Sequence, residues 1–153
     1  MDEAGLLDEI ESLQRLIDYK GFEVRSLEES DWDTLVGWWK WWRWAIMPKD
    51  FLPENGTGGI MVVKNGVCVV AGFLYTTNAK VVILDFIVSN PSYKNKNRKT
   101  AIEVLIKEAE VKAKRLKCKH MFSISKSTHL IDAHKELGWI VDNKPSYEII
   151  KNL

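Results

Sequence analysis

The amino-acid sequence predicts a mixed α/β fold, in which helices flank a mostly antiparallel sheet. Three observations support this prediction: helical and strand patterns alternate along 153 residues, Asn65-Gly66 separates two strand patterns, and a nearly continuous apolar run spans residues 81–88. Asn-Gly is typical of a tight turn between antiparallel strands, and such an apolar run is typical of an interior strand. Helices separated by groups of strands form a layered α/β sandwich.

The first half of the chain contains two helical patterns and three strand patterns. A stripe of four aliphatic residues predicts a helix over residues 4–19, which Gly21 ends. The stripe consists of Leu6, Ile10, Leu13 and Ile17. The next elements are a strand over residues 22–27, a helix that Ser30 caps and that runs to about Ala45, and hairpin strands over residues 59–64 and 67–76.

The second half begins with a turn at Thr77 and Asn78, and a strand follows over residues 80–89. Thr100 stands three residues before Glu103, a spacing that predicts a capping box at the start of a helix running to about Leu116. The remaining elements are a strand over residues 120–125, a helix ending at Leu137 with Gly138 as its C-cap, and two short terminal strands.

Length and composition predict one core. The chain is 46% hydrophobic, which suits a single domain over residues 22–153 preceded by an amphipathic helix over residues 1–21. Its longest apolar runs fall short of the ~20 residues of a membrane span, and its first residues are acidic, so we expect a cytoplasmic protein without a membrane partner. Cys68 and Cys118 are isolated, and neither a disulfide nor a metal site is expected.

The charges are distributed asymmetrically. Residues 1–33 contain eleven acidic and three basic residues, a net charge of −8, whereas residues 94–153 contain fourteen basic and seven acidic residues, a net charge of +7. We therefore expect an anionic ligand to bind to the C-terminal half of the chain. Such a ligand could be a phosphate-bearing small molecule or a nucleic-acid backbone.

A basic loop connects the apolar strand to the following helix. Free amides at a helix start and the positive end of its dipole favour a bound phosphate group. The alternative is a solvated basic loop before an ordinary helix. The candidate phosphate-binding residues are Lys94, Asn95, Lys96, Asn97, Arg98, Lys99 and Thr100.

This loop, SNPSYKNKNRKTA, resembles the pyrophosphate-binding turn of the GNAT superfamily, the acyl-CoA-dependent N-acyltransferases. Their fourth strand is followed by an Arg/Gln-x-x-Gly-x-Gly/Ala turn at the start of the third helix. Lys94 stands at the Arg/Gln position, Asn97 at the first essential Gly and Lys99 at the second. Asn95 and Asn97 tolerate left-handed backbone conformations, so we expect the loop to turn its amides inward.

A later segment, HLIDAHKELGW, resembles the family's Tyr-x-x-x-Gly-Phe helix ending. Gly138 and Trp139 match the Gly and Phe positions, and His134 stands where the family often has a Tyr general acid. The resemblance spans residues 22–151. Residues 38–56 and 73–91 also resemble acetyltransferase-like proteins of bacteriophages.

The resemblance implies a GNAT-like fold with an extra N-terminal helix, and a transfer of acetyl from acetyl-CoA to a primary amine of a small molecule or protein. Backbone amides of Ile87, Val88 and Ser89 would bind the pantetheine arm. No metal is implied.

The resemblance also implies places for the proton transfers. Asp85, on the same face of a regular strand as Ile87 and Ser89, would accept the amine proton. The alternative role for Asp85 is structural, with its carboxylate bound by a neighbouring amide or paired with Lys80. His134 or Tyr93 would protonate the leaving thiolate, and the alternative for His134 is a solvated surface residue.

Tryptophan occupies five of the seven positions from 38 to 44: Trp38, Trp39, Trp41, Trp42 and Trp44. On a helix they span an arc of about 220°, wider than a core stripe requires. Most of them would pack on the sheet, and the family's acceptor pocket suggests Trp38, Trp41 and Trp42 as its aromatic wall. Stacking of nucleic-acid bases beside Lys40 and Arg43 is an alternative, although no recognised nucleic-acid motif is present.

Two other functions therefore compete with catalysis. One is a catalytically silent GNAT-like module that binds a protein partner. The other is a nucleic-acid-associated factor, which is not favoured. The N-terminal helix must bury its apolar stripe, either on its own domain or in a homodimer.

Overall fold

The protein is described here by a computed structural model that covers residues 2–142, 144 and 146–153. Within these residues the helices are α1 (Glu3–Asp18), α2 (Trp32–Trp41), α3 (Arg98–Arg115) and α4 (Thr128–Glu136). The strands are β1 (Glu23–Ser26), β2 (Gly59–Lys64), β3 (Val67–Thr76), β4 (Val81–Ser89) and β5 (His120–Ser123). Short 3-10 turns cover Glu29–Asp31, Lys49–Phe51 and Pro53–Gly56.

The strands form one sheet in the order β1-β2-β3-β4-β5. The first three pairings are antiparallel, and β5 pairs with β4 in parallel through the crossover helix α3. The predicted mixed, mostly antiparallel sheet flanked by helices is therefore confirmed. The predicted hairpin is also present, with Asn65 at φ 50° and Gly66 at φ 78° in the tight turn between β2 and β3.

Two apolar clusters cover the two faces of the sheet, as the continuous apolar run of β4 predicts. On one face, in what we call the α3 cluster, Leu84 and Ile87 pack with Leu105 and Ile106 of α3. The second cluster, which we call the α2 cluster, lies on the other face and consists of buried residues from α2, the strands and the loops between them: Leu27, Leu35, Trp38, Trp39, Leu52, Met61, Ala71, Phe73 and Val88.

Helix α2 ends earlier than the sequence predicts. It runs to Trp41 rather than Ala45, because Arg43 adopts a left-handed conformation at φ 60° and the Trp44 amide bonds to the Trp39 carbonyl at 2.9 Å. Ser30 is also not its cap. Ser30 lies inside the preceding 3-10 turn, where the Asp31 carboxylate instead accepts the Glu28 amide at 2.8 Å.

Helix α3 begins earlier than predicted. Arg98 is its first residue, and its guanidinium donates to the Asn90 carbonyl at 2.7 Å, which ties the first turn to the end of β4. Thr100 lies inside the helix, so the predicted capping box with Glu103 is not formed.

The two predicted terminal strands are not formed in the described residues after Leu137, and positions 143 and 145 lie outside the description. A strand needs a paired edge and a buried face. Side chains of this segment instead remain largely exposed, among them Ile140, Tyr147 and Ile149.

Candidate functional site

A bulge interrupts β4 in its second half. Phe73 pairs with Asp85 and Ala71 pairs with Val88, so Phe86 and Ile87 both lie opposite Gly72. Phe86 has a positive φ of 53°, unusual for an aromatic residue.

The bulge resets the alternation of side chains, so the prediction that Asp85 shares a face with Ile87 is wrong. Ile87 packs with the α3 cluster, whereas Asp85 lies beside its cross-strand partner Phe73, a member of the α2 cluster. A regular alternation over residues 85–89 would have put both side chains on one side of the sheet. Asp85 therefore belongs to the α2 side of the site.

A cleft opens where β5 leaves β4. The two strands pair only from Val81–His120 to Leu84–Ser123, which leaves the β5-facing edge of residues 85–89 without a strand partner in the described chain. The Asn90 amide donates to the Val69 carbonyl of β3 at 2.8 Å. Because backbone groups alternate, Ser89 directs its amide and carbonyl toward the open edge, whereas those of Val88 face β3.

Trp42 and Arg98 close one end of this edge. The Trp42 indole nitrogen donates to the Ser89 carbonyl at 2.8 Å, and the Arg98 guanidinium lies 5.8 Å from the Trp42 ring centre. Within the described chain the buried Arg98 Nε has no hydrogen-bond partner. The end of α2, the end of β4 and the start of α3 therefore meet at one place.

The start of α3 has no side-chain cap. Asn97 occupies the cap position, but its Oδ1 accepts the Tyr93 hydroxyl at 2.7 Å instead of a helix amide. The Ala101 amide bonds to the Asn97 carbonyl, and among the described residues the amides of Lys99 and Thr100 have no partner. Free amides at the positive end of an 18-residue helix are suited to an anion.

The basic loop has a different backbone from the one expected. Asn95 and Asn97 do not adopt left-handed conformations, because Asn97 has φ −89° and Asn95 is not among the residues with positive φ. The Asn95 side chain instead accepts the Asn97 amide at 3.2 Å. Lys94 and Lys96 are exposed, whereas the Lys99 ammonium is paired with Glu136 at 2.6 Å, which raises the Lys99 pKa. Lys94 and Lys96 are therefore cations without an ion-pair partner among the described residues.

His134 is buried, so the alternative of a solvated surface residue is wrong. Its Nδ1 lies 2.6 Å from the Leu130 carbonyl, an atom that can only accept, so Nδ1 holds the proton of a neutral ring. Burial lowers the His134 pKa. Its Nε2 is buried and has no partner within the described residues. A neutral imidazole of this tautomer accepts a proton at Nε2 and is a poor donor to a thiolate.

Asp85 has the neighbouring-amide contact that the sequence left as one alternative. The Phe86 amide donates to the Asp85 carboxylate at 2.7 Å, and no described residue, Lys80 included, forms a salt bridge with it. Burial raises the Asp85 pKa, and the negative charge of Glu148 raises it further. Burial, assisted by the Asp85 charge, raises the Tyr75 pKa to about 12.

The tryptophans divide into buried and accessible groups. Trp38 and Trp39 are 6% and 2% exposed in the α2 cluster, whereas Trp41 and Trp44 are 61% and 42% exposed. Trp42 is half-buried at the open edge of β4. Because Trp38 is a core residue, we leave it out of the acceptor wall and retain Trp41 and Trp42.

Sequence reasoning missed Asn90, Phe51 and Tyr75. The Asn90 carbonyl accepts Arg98, and Phe51 and Tyr75 pack around Phe86 on the Asp85 side of the sheet. The alternation of β3 could have placed Tyr75 on the face of Phe73. No local signal in the sequence brings Phe51, from a separate loop, to the same place.

Two surface depressions lie away from the cleft. One is at the β3–β4 turn beside Lys80 and Cys118, and the other lies between the end of α1 and α3 beside Tyr19 and Lys114. No group of three or more potential metal ligands converges in the described part of the chain. None of the described helices is long and apolar enough to cross a bilayer.

Several solved acetyltransferases resemble this fold. N-acetylglutamate synthase from Neisseria gonorrhoeae, solved with coenzyme A and N-acetyl-glutamate, has a TM-score of 0.61 and 13% identity over 74% of this chain and 27% of that chain. A Trypanosoma brucei acetyltransferase has a TM-score of 0.59 and 16% identity over 84% of this chain and 99% of that chain. The Escherichia coli ribosomal-protein-S18-alanine N-acetyltransferase has a TM-score of 0.61 and 14% identity over 76% of each chain. No protein-family model and no curated protein matches the sequence.

These likenesses confirm the fold. Structures at 13–16% identity share the architecture of mixed sheet and flanking helices, which is the GNAT fold that the sequence resemblance implies. The chain spans only 27% of the length of the N-acetylglutamate synthase, so that protein's activity does not transfer directly.

Proposed function

We propose that this chain, which has the GNAT fold, is an acyl-CoA-dependent N-acetyltransferase that transfers an acetyl group to a primary amine. The observation that carries the proposal is the meeting of two backbone features at one cleft, the open edge of β4 after Leu84 and the uncapped start of α3. Structures with this fold include proteins solved with coenzyme A, which supports the same function.

The proposed binding mode uses these two features together. The amides of Lys99 and Thr100, with the exposed cations of Lys94 and Lys96, suit the phosphate groups of acetyl-CoA. The backbone of Ser89 suits an amide of the pantetheine arm, although its carbonyl already accepts Trp42. Acetyl-CoA supplies the activated thioester carbonyl.

Acyl transfer then needs two proton movements. The amine nitrogen forms a bond to the acetyl carbon, the carbon–sulfur bond breaks, one proton leaves the amine and one joins the thiolate. Asp85 is the proposed acceptor of the amine proton, directly or through water, because burial raises its pKa toward that of a useful base. Tyr93 is the better proposed donor to the thiolate. Its hydroxyl donates to the Asn97 side chain but can rotate toward another acceptor, whereas the only proton of the neutral His134 ring is fixed on Nδ1, which faces the Leu130 carbonyl.

Calorimetric titration tests the proposal with three ligands: acetyl-CoA, desulfo-CoA and duplex DNA. Saturable heat with both CoA compounds supports the proposed site, and release of free thiol with an amine then supports catalysis. Heat with DNA alone would favour the nucleic-acid alternative. Binding of no ligand would favour the silent interaction module.

A homodimer through α1 is a second proposal, which rests on an unpartnered surface. Four aliphatic residues of α1 are each at least half exposed at alternating spacings of four and three: Leu6, Ile10, Leu13 and Ile17. This spacing is the heptad pattern of a coiled coil. We propose that α1 of a second copy packs against this apolar stripe, so that the dimer contact lies outside the domain that begins at residue 22.

Light scattering tests this proposal with the full chain and a variant lacking residues 1–19. A halved mass supports the dimer, whereas an unchanged mass excludes α1 as the contact. The point variant Leu13→Ser should act like the deletion, and Val67→Ser, at a residue 46% exposed on β3, is the matched control.

A cytoplasmic location is proposed from the two free thiols, Cys68 and Cys118, which suit a reducing compartment. The bacteriophage origin rests only on the sequence resemblance of residues 38–56 and 73–91, and it stays a prediction.

A further inference from the structure

Asp85 is a half-buried carboxylate that has no salt-bridge partner among the described residues. Its one hydrogen bond in the described chain comes from the Phe86 amide, and the charged residue that raises its pKa, Glu148, is also negative. Lys49, the cation of the nearby 3-10 turn, is paired with Glu29 at 3.2 Å. Removing a carboxylate from water without a paired cation is unfavourable, so this arrangement favours a cationic ligand.

Aromatic rings border the same place. Phe86 lies 5.9 Å from Phe51 and 6.5 Å from Tyr75, measured between ring centres. The Tyr75 hydroxyl donates to the Phe51 carbonyl at 3.0 Å, which fixes the 3-10 turn on β3. Aromatic faces attract ammonium groups, most strongly when water is partly excluded. A carboxylate beside three rings is therefore suited to a protonated amine.

The bulge places this group beside the open edge of β4. Asp85 and Phe86 directly precede Ile87, where β4 has left β5, and Phe51 is 37% exposed, so the rings are accessible from solvent. A ligand ammonium at Asp85 would thus lie at the edge where, under the proposed function, the thioester is bound.

We infer that Asp85, Phe51, Tyr75 and Phe86 form an acceptor site that selects cationic amines and rejects amines carrying a carboxylate. The inference rests on the proposed function for its chemistry. An amino acid would bring its own carboxylate toward Asp85 and Glu148, and like charges that face each other disfavour binding.

Three amines with the same four-carbon chain test the inference: putrescine, butylamine and γ-aminobutyrate, whose far ends are positive, neutral and negative. Thiol release from acetyl-CoA gives kcat/KM for each. We expect putrescine to exceed γ-aminobutyrate by about tenfold or more. Because Asp85 is also the proposed base, Asp85→Asn is tested by calorimetric titration with the three amines, where it should lose most of the preference for putrescine. Phe51→Leu should weaken putrescine binding.

Glu110→Gln is the matched control, because Glu110 is another partly buried carboxylate with a raised pKa, placed on α3 away from the site. It should keep the preference. Equal kcat/KM for the three amines, or a preference that survives Asp85→Asn, would overturn the inference.

Calorimetry separates this inference from the proposed function. If acetyl-CoA binds but the amines are used equally, the acceptor class is wrong and the acetyltransferase proposal stands. If acetyl-CoA does not bind, titration with putrescine alone still decides: saturable heat lost in Asp85→Asn supports the cation site, and no saturable heat rejects it.

Discussion

The indole nitrogen of Trp42 donates a 2.8 Å hydrogen bond to the main-chain carbonyl of Ser89, which links the end of α2 to the open edge of β4. The same ring lies 5.8 Å from the Arg98 guanidinium at the start of α3. Trp42 thus connects the acceptor side of the proposed site to its cofactor side. It does so through one donor and one ring face.

Replacing Trp42 with Phe keeps a ring but removes the donor. We expect the free energy of unfolding to fall by about 1 kcal/mol, since the partly buried Ser89 carbonyl loses its partner. Acetyl-CoA affinity should also fall, because the edge of β4 is less well held. Urea denaturation and calorimetry measure the two effects. Trp44→Phe is the control, and an equal loss in both variants would deny Trp42 a special role.

Alanine substitutions should divide the tryptophans into two groups. Trp38→Ala and Trp39→Ala should each lower the free energy of unfolding by about 3–5 kcal/mol, because both side chains leave cavities in the α2 cluster. Trp41→Ala should change stability by only about 0.5 kcal/mol or less, since its ring is 61% exposed. We expect Trp41→Ala instead to lower the rate of acetyl transfer. Urea denaturation measures the stabilities, and if all the alanine substitutions lower the free energy of unfolding equally, the tryptophans serve only as core residues.

Asp85→Asn should stabilise the unliganded protein at pH 7. The folded-state pKa of Asp85 is raised, so its ionisation disfavours folding as the pH rises through and above the unfolded value of 3.8. The amide keeps the acceptor for Phe86 without the charge. Thermal scans should show a gain at pH 7, where 1 kcal/mol corresponds to about 2–4 °C, and no gain below pH ~4. A loss of stability at pH 7 would contradict this account of Asp85.

His134 should make stability fall in mildly acidic solution. Burial holds its folded-state pKa below the ordinary histidine value of 6.5, so the unfolded chain takes up a proton first and stability is lost as the pH falls below that value. His134→Gln should flatten this part of the stability curve between pH 7 and 5. Chemical denaturation at stepped pH measures it. The exposed His129 provides the control variant His129→Gln, and an equal flattening there would refute the assignment.

Regular features were predictable from the sequence because local chemistry determines them. Asn65-Gly66 gives the hairpin turn, and the apolar run of β4 gives an interior strand. The mixed α/β architecture followed from the order of these elements, and the GNAT-like fold was implied by the resemblance of two segments, SNPSYKNKNRKTA and HLIDAHKELGW. The ends of helices were less predictable. Helix α2 ends because Arg43 adopts a left-handed conformation, and no glycine marks this position in the sequence.

The site was predicted in part. Trp42, Asp85 and Arg98 were singled out, and the structure brings Trp42 and Arg98 together at the end of β4. The bulge at Phe86 was not foreseeable, because no glycine or proline marks it and it arises opposite Gly72 on another strand. That one inserted residue moved Asp85 to the other face of the sheet. The pairing of Lys99 with Glu136 likewise depends on a contact between separate helices.

Calorimetric titration with acetyl-CoA tests the central claim most directly, using the wild-type chain, Lys94→Glu/Lys96→Glu and the control Lys114→Glu at the opposite end of α3. We expect one site per chain in the wild type and the control, and binding at least about tenfold weaker in the double variant, because its negative charges face the phosphates at the start of α3. Lys99→Glu should weaken binding less than Lys94→Glu, since Lys99 is already paired with Glu136. No saturable heat with millimolar acetyl-CoA, together with an unchanged melting temperature, would contradict the proposed function.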